Sequence, residues 1–103
     1  MEESPLKWSD IPNEEKEELI SHLTDNLKIL RAKGSFTQEN VANAIGISRQ
    51  TYNAIECKKT EMTWSVYLSL IFLFSSLKET NQLLKILQIY PNSYMQSKEE
   101  NRL

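Results

Sequence analysis

Arg49, Gln50, Thr51 and Asn53 fall within five positions of one another, in the stretch "NAIGISRQTYNAIE" at residues 43–56. Their chemistry is hydrogen bonding. A guanidinium can bond two acceptors side by side, and a carboxamide offers a donor and an acceptor together. Those are the pairings that match guanine and adenine edges respectively. The same residue types would also make an ordinary solvated helix face, and types alone do not separate the two readings. No catalytic constellation competes with them. The chain has one His, His22, and one Cys, Cys57, which cannot build a metal cage. There is no phosphate-cradling Gly loop. Glu14, Glu15, Glu17 and Glu18 resemble acid/base carboxylates, but a helix's first turn draws negative charge to its own dipole. The expectation is no enzyme activity, no cofactor and no metal.

The elements that must position these residues are helical. Leu19, Leu23, Leu27 and Leu30 form one apolar stripe, which predicts a first helix over about 13–33, started at Pro12 and Asn13 and stopped by a left-handed Gly34. Thr37 is the N-cap of a short second helix with Val41, Ala42 and Ile45 on its apolar face; Gly46 ends it. Ser48 is the next N-cap, opening a third helix from Arg49 to about Cys57. At about 100° per residue, Tyr52 and Ile55 point one way. Gln50, Asn53, Ala54 and Cys57 point the other, with Arg49 and Glu56 on the flanks. Thr63 caps a fourth helix that is apolar nearly all round from Trp64 to Phe74, as a mostly buried helix should be. Ser76 and Glu79 have capping-box spacing for a fifth helix, which runs to about Ile89 and is followed by Pro91. Residues 1–12 read as an irregular lead-in, with Leu6, Trp8 and Ile11 able to pack onto the helical body. Residues 91–103 read as a polar, flexible tail apart from Tyr94 and Met95.

The bulk numbers agree. A chain of 103 residues makes one domain with one modest core, and only two Gly and three Pro favour helices over a turn-rich all-β fold. A single Cys suits a reducing compartment. The start "MEESPLKW" lacks the basic segment and apolar run of a signal peptide, and "VYLSLIFLF" is too short to span a bilayer. A cytoplasmic protein without a membrane association is expected. The net charge of −2 is unevenly spread: residues 1–26 carry eight acidic and two basic groups, whereas residues 27–62 carry six basic and three acidic. The central third is locally basic beside an acidic flank.

The short helix, Gly-centred turn and second short helix at 37–57 make a helix-turn-helix. Helices of this length are not stable alone, so each must be clamped through its apolar face. The far face of the third helix then becomes an exposed rod that fits the major groove of B-DNA. The string "LKILRAKGSFTQENVANAIGISRQTYNAIECKK" resembles the DNA-binding domain of the Cro/C1-type (Xre, lambda- and 434-repressor-like) family. The resemblance covers about residues 27–74 and is carried by Leu27, Leu30, Arg31, Thr37-Gln38-Glu39, Ala42, Ile45-Gly46-Ile47-Ser48 and Ile55-Glu56.

The resemblance implies an all-α, five-helix lambda-repressor-like domain over residues 13–90, with 64–89 serving core and dimerisation. It implies that Arg49, Gln50 and Asn53 face bases and that Ala54 touches a thymine methyl. Gln38 would bond a phosphate and brace the start of the third helix. Lys58, Lys59 and Thr60 would meet the DNA backbone, and Arg31 with Glu56 would form a structural ion pair. The sequence departs from the family at two places. Lys58 stands where Gly usually follows the third helix, so the turn either carries about 1–2 kcal/mol of strain or is built differently. Asn40 replaces an acidic cap residue, which predicts a weaker cap. The expected function is a sequence-specific transcriptional regulator of bacterial or phage type. It would bind double-stranded, palindromic operator DNA as a homodimer. The alternative is a protein-interaction module with a protein partner, such as an antitoxin or an anti-repressor partner.

Overall fold

The structure, a computed structural model, describes residues 11–90. The expectations for the lead-in before Ile11 and for the tail, including Leu6, Trp8, Pro91, Tyr94 and Met95, lie outside the described residues. Those described form six helices and no strand: α1 Asn13–Asp25, α2 Leu27–Gly34, α3 Gln38–Ile45, α4 Arg49–Glu56, α5 Trp64–Ser75 and α6 Lys78–Leu87.

The first expected helix is two helices. Asn26 leaves helical geometry at φ −113° and ψ 10°. Its side-chain amide donates to the His22 carbonyl at 2.8 Å, and the Thr24 hydroxyl donates to the Ile20 carbonyl at 2.7 Å. Side chains of this kind compete with the backbone for its own partners, and Thr-Asp-Asn places three of them in a row. The leucine stripe crosses the break intact. Leu23, Leu27 and Leu30 are all fully buried, so the periodicity alone gives no sign of it.

Gly34 is the last residue of α2 rather than the left-handed stop; Ser35 takes that conformation at φ 59°. Gly34 is needed for space instead. A Cβ there would lie 2.7 Å from the Phe36 ring and 3.1 Å from Thr80 Cγ2, where α2 packs on α6. Ser76 also differs from expectation. Its hydroxyl donates back to the Leu73 carbonyl at 2.6 Å, and α6 begins after Leu77 without a side-chain cap. The hydroxyl that organises this corner is that of buried Thr80, which donates to the Phe74 carbonyl.

The core runs between α1, α2, α5 and α6 and under the α3–α4 pair. Tyr52, Tyr67, Phe74, Leu70 and Leu84 are fully buried in it. α5 packs on α1, α3 and α6, which accounts for its apolar character on most sides. Beyond α6, Gln88 turns left-handed at φ 58° and sends Ile89 and Tyr90 back into the core, where the Ile89 carbonyl accepts the Tyr67 hydroxyl at 2.6 Å. Burial, with Glu15 and Tyr90 nearby, pushes the Tyr67 phenol well above its ordinary range. Lys16 reaches from α1 to lie 5.3 Å from the centre of the Trp64 ring. No helix among the described residues is long and apolar enough to cross a membrane.

Candidate nucleic-acid interface

α3 and α4 are eight residues each, below the length at which isolated helices persist in water. Their caps and their inner faces hold them. Thr37 Oγ1 accepts from the Asn40 amide at 2.9 Å, and Asn40 Oδ1 accepts from the Thr37 amide at 3.0 Å. Asn40 thus completes a capping box, its carboxamide oxygen accepting where a carboxylate would, although without the carboxylate's charge. Gly46 turns left-handed at φ 83°, and the Gly46 and Ile47 amides both donate to the Ala42 carbonyl. Ser48 then caps α4, its hydroxyl accepting from the Thr51 amide at 3.0 Å.

Tyr52, Ile55 and Glu56 are the buried residues of α4. The Glu56 side chain is 1% exposed and that of Arg31 21%. Arg31 Nε donates to Glu56 Oε2 at 2.8 Å and Arg31 Nη2 to Oε1 at 3.0 Å, a bidentate fork. Gln38 Nε2 donates to Oε1 at 2.7 Å, and the Tyr52 hydroxyl donates to Oε2 at 2.8 Å. Burial by itself would push the Glu56 carboxyl up. The bonds from Arg31, Gln38 and Tyr52 together outweigh it and hold the group below the usual carboxylate range. The Glu56 partner raises the Arg31 guanidinium in turn, and burial followed by the Glu56 hydrogen bond drives the Tyr52 phenol far upward. Four donors around one buried carboxylate thus weld α2, α3 and α4 together.

Tyr52 is the member of this cluster that sequence reasoning missed. It reads as an inward apolar residue, and only its spacing of four from Glu56 hints at the bond. Gln38 behaves differently from expectation. Its side chain does not reach the start of α4. It reaches the middle and end, donating to Asn53 Oδ1 at 3.1 Å as well as to Glu56. Both N–H groups of its carboxamide are therefore engaged within the protein.

Arg49 and Gln50 are exposed at the N-terminal end of α4, and no hydrogen bond or ion pair engages them among the described residues. Asn53 and Ala54 are half-buried, further along the same helix. Lys58, Lys59 and Thr60 are exposed just past its C-terminus. Lys58 takes the left-handed turn itself at φ 65°, and the Lys59 amide donates to the Ala54 carbonyl at 2.8 Å. The turn is therefore built in the left-handed form, at a strain of about 1–2 kcal/mol for a non-Gly residue. Lys58 Nζ lies 2.6 Å from Asp25 of α1, both side chains being exposed, so one acidic group of the N-terminal segment sits beside this basic turn. Such a solvated pair is worth little and opens readily. No group of His, Cys, Asp and Glu that could hold a metal is found among the described residues.

Residues 27–61 match a family model described as helix-turn-helix. They contain the α2–α4 weld, both caps, the Gly46 turn and the lysine turn. No curated protein and no solved structure matches the chain.

Proposed function

We propose that this chain, whose residues 27–61 match a helix-turn-helix family model and resemble the Cro/C1-type DNA-binding domain, is a sequence-specific transcriptional regulator of bacterial or phage type that reads the major groove with α4. The observation that carries the reading is the pairing of Arg49 and Gln50, exposed and unengaged, with a helix clamped too firmly to rotate. Groove readers place their contact residues at this end of the recognition helix. Arg49 suits guanine and Gln50 suits adenine, and half-buried Ala54 could meet a thymine methyl. Lys58, Lys59 and Thr60 contact phosphates, Lys58 exchanging Asp25 for one of them. Gln38 reaches a phosphate through its backbone amide at the start of α3, since its side-chain donors are already used. The protein acts in the cytoplasm.

One α4 spans few base pairs, so the working unit is a homodimer on a palindromic operator, with half-sites about 34 Å apart. Phe72 is 78% exposed and Ile86 75% exposed. They lie on α5 and α6, and Phe72 borders a shallow apolar groove lined by Ala44, Ile45, Leu68 and Leu73. The groove beside Phe72 supports self-association through α5. It equally suits the second reading, a protein-interaction module such as an antitoxin. Stable co-purification of an unrelated small protein from the native cell would favour that reading.

The test is in vitro selection of bound DNA followed by salt-titrated affinity measurement. A palindromic consensus is expected. Arg49→Ala and Gln50→Ala should each relax the preference at one position per half-site, while Lys59→Ala should weaken all sequences alike and flatten the salt slope. Absence of any sequence preference at low salt would defeat the proposal.

A further inference from the structure

The buried carboxylate of Glu56 dictates what Asn53 can say to a base. A carboxylate only accepts, so Gln38 must turn its nitrogen toward Glu56 Oε1, at 2.7 Å. The second N–H of that nitrogen faces Asn53, which must then answer with its oxygen, at 3.1 Å. The Cys57 thiol lies 3.7 Å from the same Asn53 oxygen. With Gln38 and Cys57 both donating, the two lone pairs of Oδ1 are occupied. Asn53 Nδ2 has no hydrogen-bond partner among the described residues, and its two N–H groups are the polar capacity left over.

We propose that Asn53 is a donor-only specificity residue that selects guanine in the major groove, rather than the adenine an asparagine ordinarily reads. Bidentate adenine recognition needs the carboxamide oxygen to accept from adenine N6 while the nitrogen donates to N7. Here the oxygen faces inward and is spoken for. A nitrogen with two donors matches guanine's paired acceptors O6 and N7, much as a lysine ammonium does. Thymine offers one acceptor beside a methyl group, adenine one acceptor beside a donor, and cytosine a donor alone. The polarity therefore passes from Arg31 and Tyr52 to Glu56, from Glu56 to Gln38, from Gln38 to Asn53, and from Asn53 to the base. This rests on the reading of α4 as the groove-binding helix.

Selection of bound DNA by the unmodified chain and by Asn53→Ala identifies the base that Asn53 reads, as the position whose preference Asn53→Ala removes. Guanine is expected there in the unmodified chain, favoured by about tenfold over adenine. Asn53→Asp keeps an inward oxygen for Gln38 and presents an acceptor outward, so preference at that position should move to cytosine. Gln38→Leu frees the carboxamide to turn over, and adenine should gain at guanine's expense. Any base other than guanine at the Asn53 position, or a consensus with no position that depends on Asn53, overturns the proposal and leaves the groove-reading function standing. No consensus at all removes both. Independently of DNA, NMR hydrogen exchange of the free protein should show protected Gln38 side-chain N–H groups and rapidly exchanging Asn53 ones; the reverse pattern overturns the orientation.

Discussion

Replacing Arg31 by Met tests whether the helix-turn-helix is held by one carboxylate. Met fills much of the arginine stem's volume, so packing is largely retained and the charge is what is lost. Arg31 supplies two of the four hydrogen bonds to Glu56, and a carboxylate that is 1% exposed cannot turn to water for replacements. Stranding one partner of a buried pair costs about 3–5 kcal/mol. Gln38 and Tyr52 still donate to Glu56, which argues for the lower end, about 3 kcal/mol. Urea denaturation followed by circular dichroism would show this as a midpoint shift of about 1–3 M, given slopes of about 1–3 kcal/mol per molar for small domains. The pH dependence is a second check. In the native protein the Glu56 carboxyl is held low, so its stabilisation is complete above the unfolded value of about 4.3 and is lost as pH falls through the folded value. Without Arg31 the same group loses the strongest of the partners that hold it low, and its folded value rises. The variant's penalty is then greatest at neutral pH and fades as the carboxylate takes up a proton. The two stability curves should converge on acidification. A loss below about 1 kcal/mol at neutral pH, or a gap that widens in acid, would refute the account.

Other substitutions probe separate parts of the fold. Gly46→Ala should lower stability by about 1–2 kcal/mol in the same denaturation assay because of its left-handed backbone, since nothing lies within 4 Å of the added carbon. Gly34→Ala should also destabilise, although alanine is the better helix former by about 1 kcal/mol. Here the added methyl meets the Phe36 ring, and a crystal structure of the variant should show Phe36 displaced from Phe74, its neighbour at 6.0 Å between ring centres. Phe72→Ser should leave monomer stability within about 0.5 kcal/mol, as exposed substitutions do. It should nevertheless weaken self-association in sedimentation experiments and operator binding with it.

Much of the architecture is legible from local chemistry. The hydroxyls of Thr37, Ser48 and Thr63 cap three helices, each accepting from the amide three residues on, and a cap is a short-range property. The Arg31–Glu56 pair was legible only through resemblance, because 25 residues separate its members. What sequence reading missed is of two kinds. At Asn26 and Ser76, hydroxyl and carboxamide side chains bond back to nearby carbonyls, a choice that helix periodicity does not record. At Gly34 and Gln38, the deciding partners are set by tertiary packing: the Phe36 ring and Thr80 in the first case, Asn53 and Glu56 in the second. Exposure of Gln50 followed from helix phase, which left Arg49 and Glu56 alike on the flanks although one is exposed and the other buried, whereas the orientation of Asn53 depended on a chain of bonds crossing three helices.

That chain bears on how such a protein can diverge. Positions 49 and 50 hang free of the scaffold and can be exchanged for new operators at little structural risk. Position 53 shares its partner with the bond network that holds the fold together, so a descendant that alters its preference must also renegotiate its own stability.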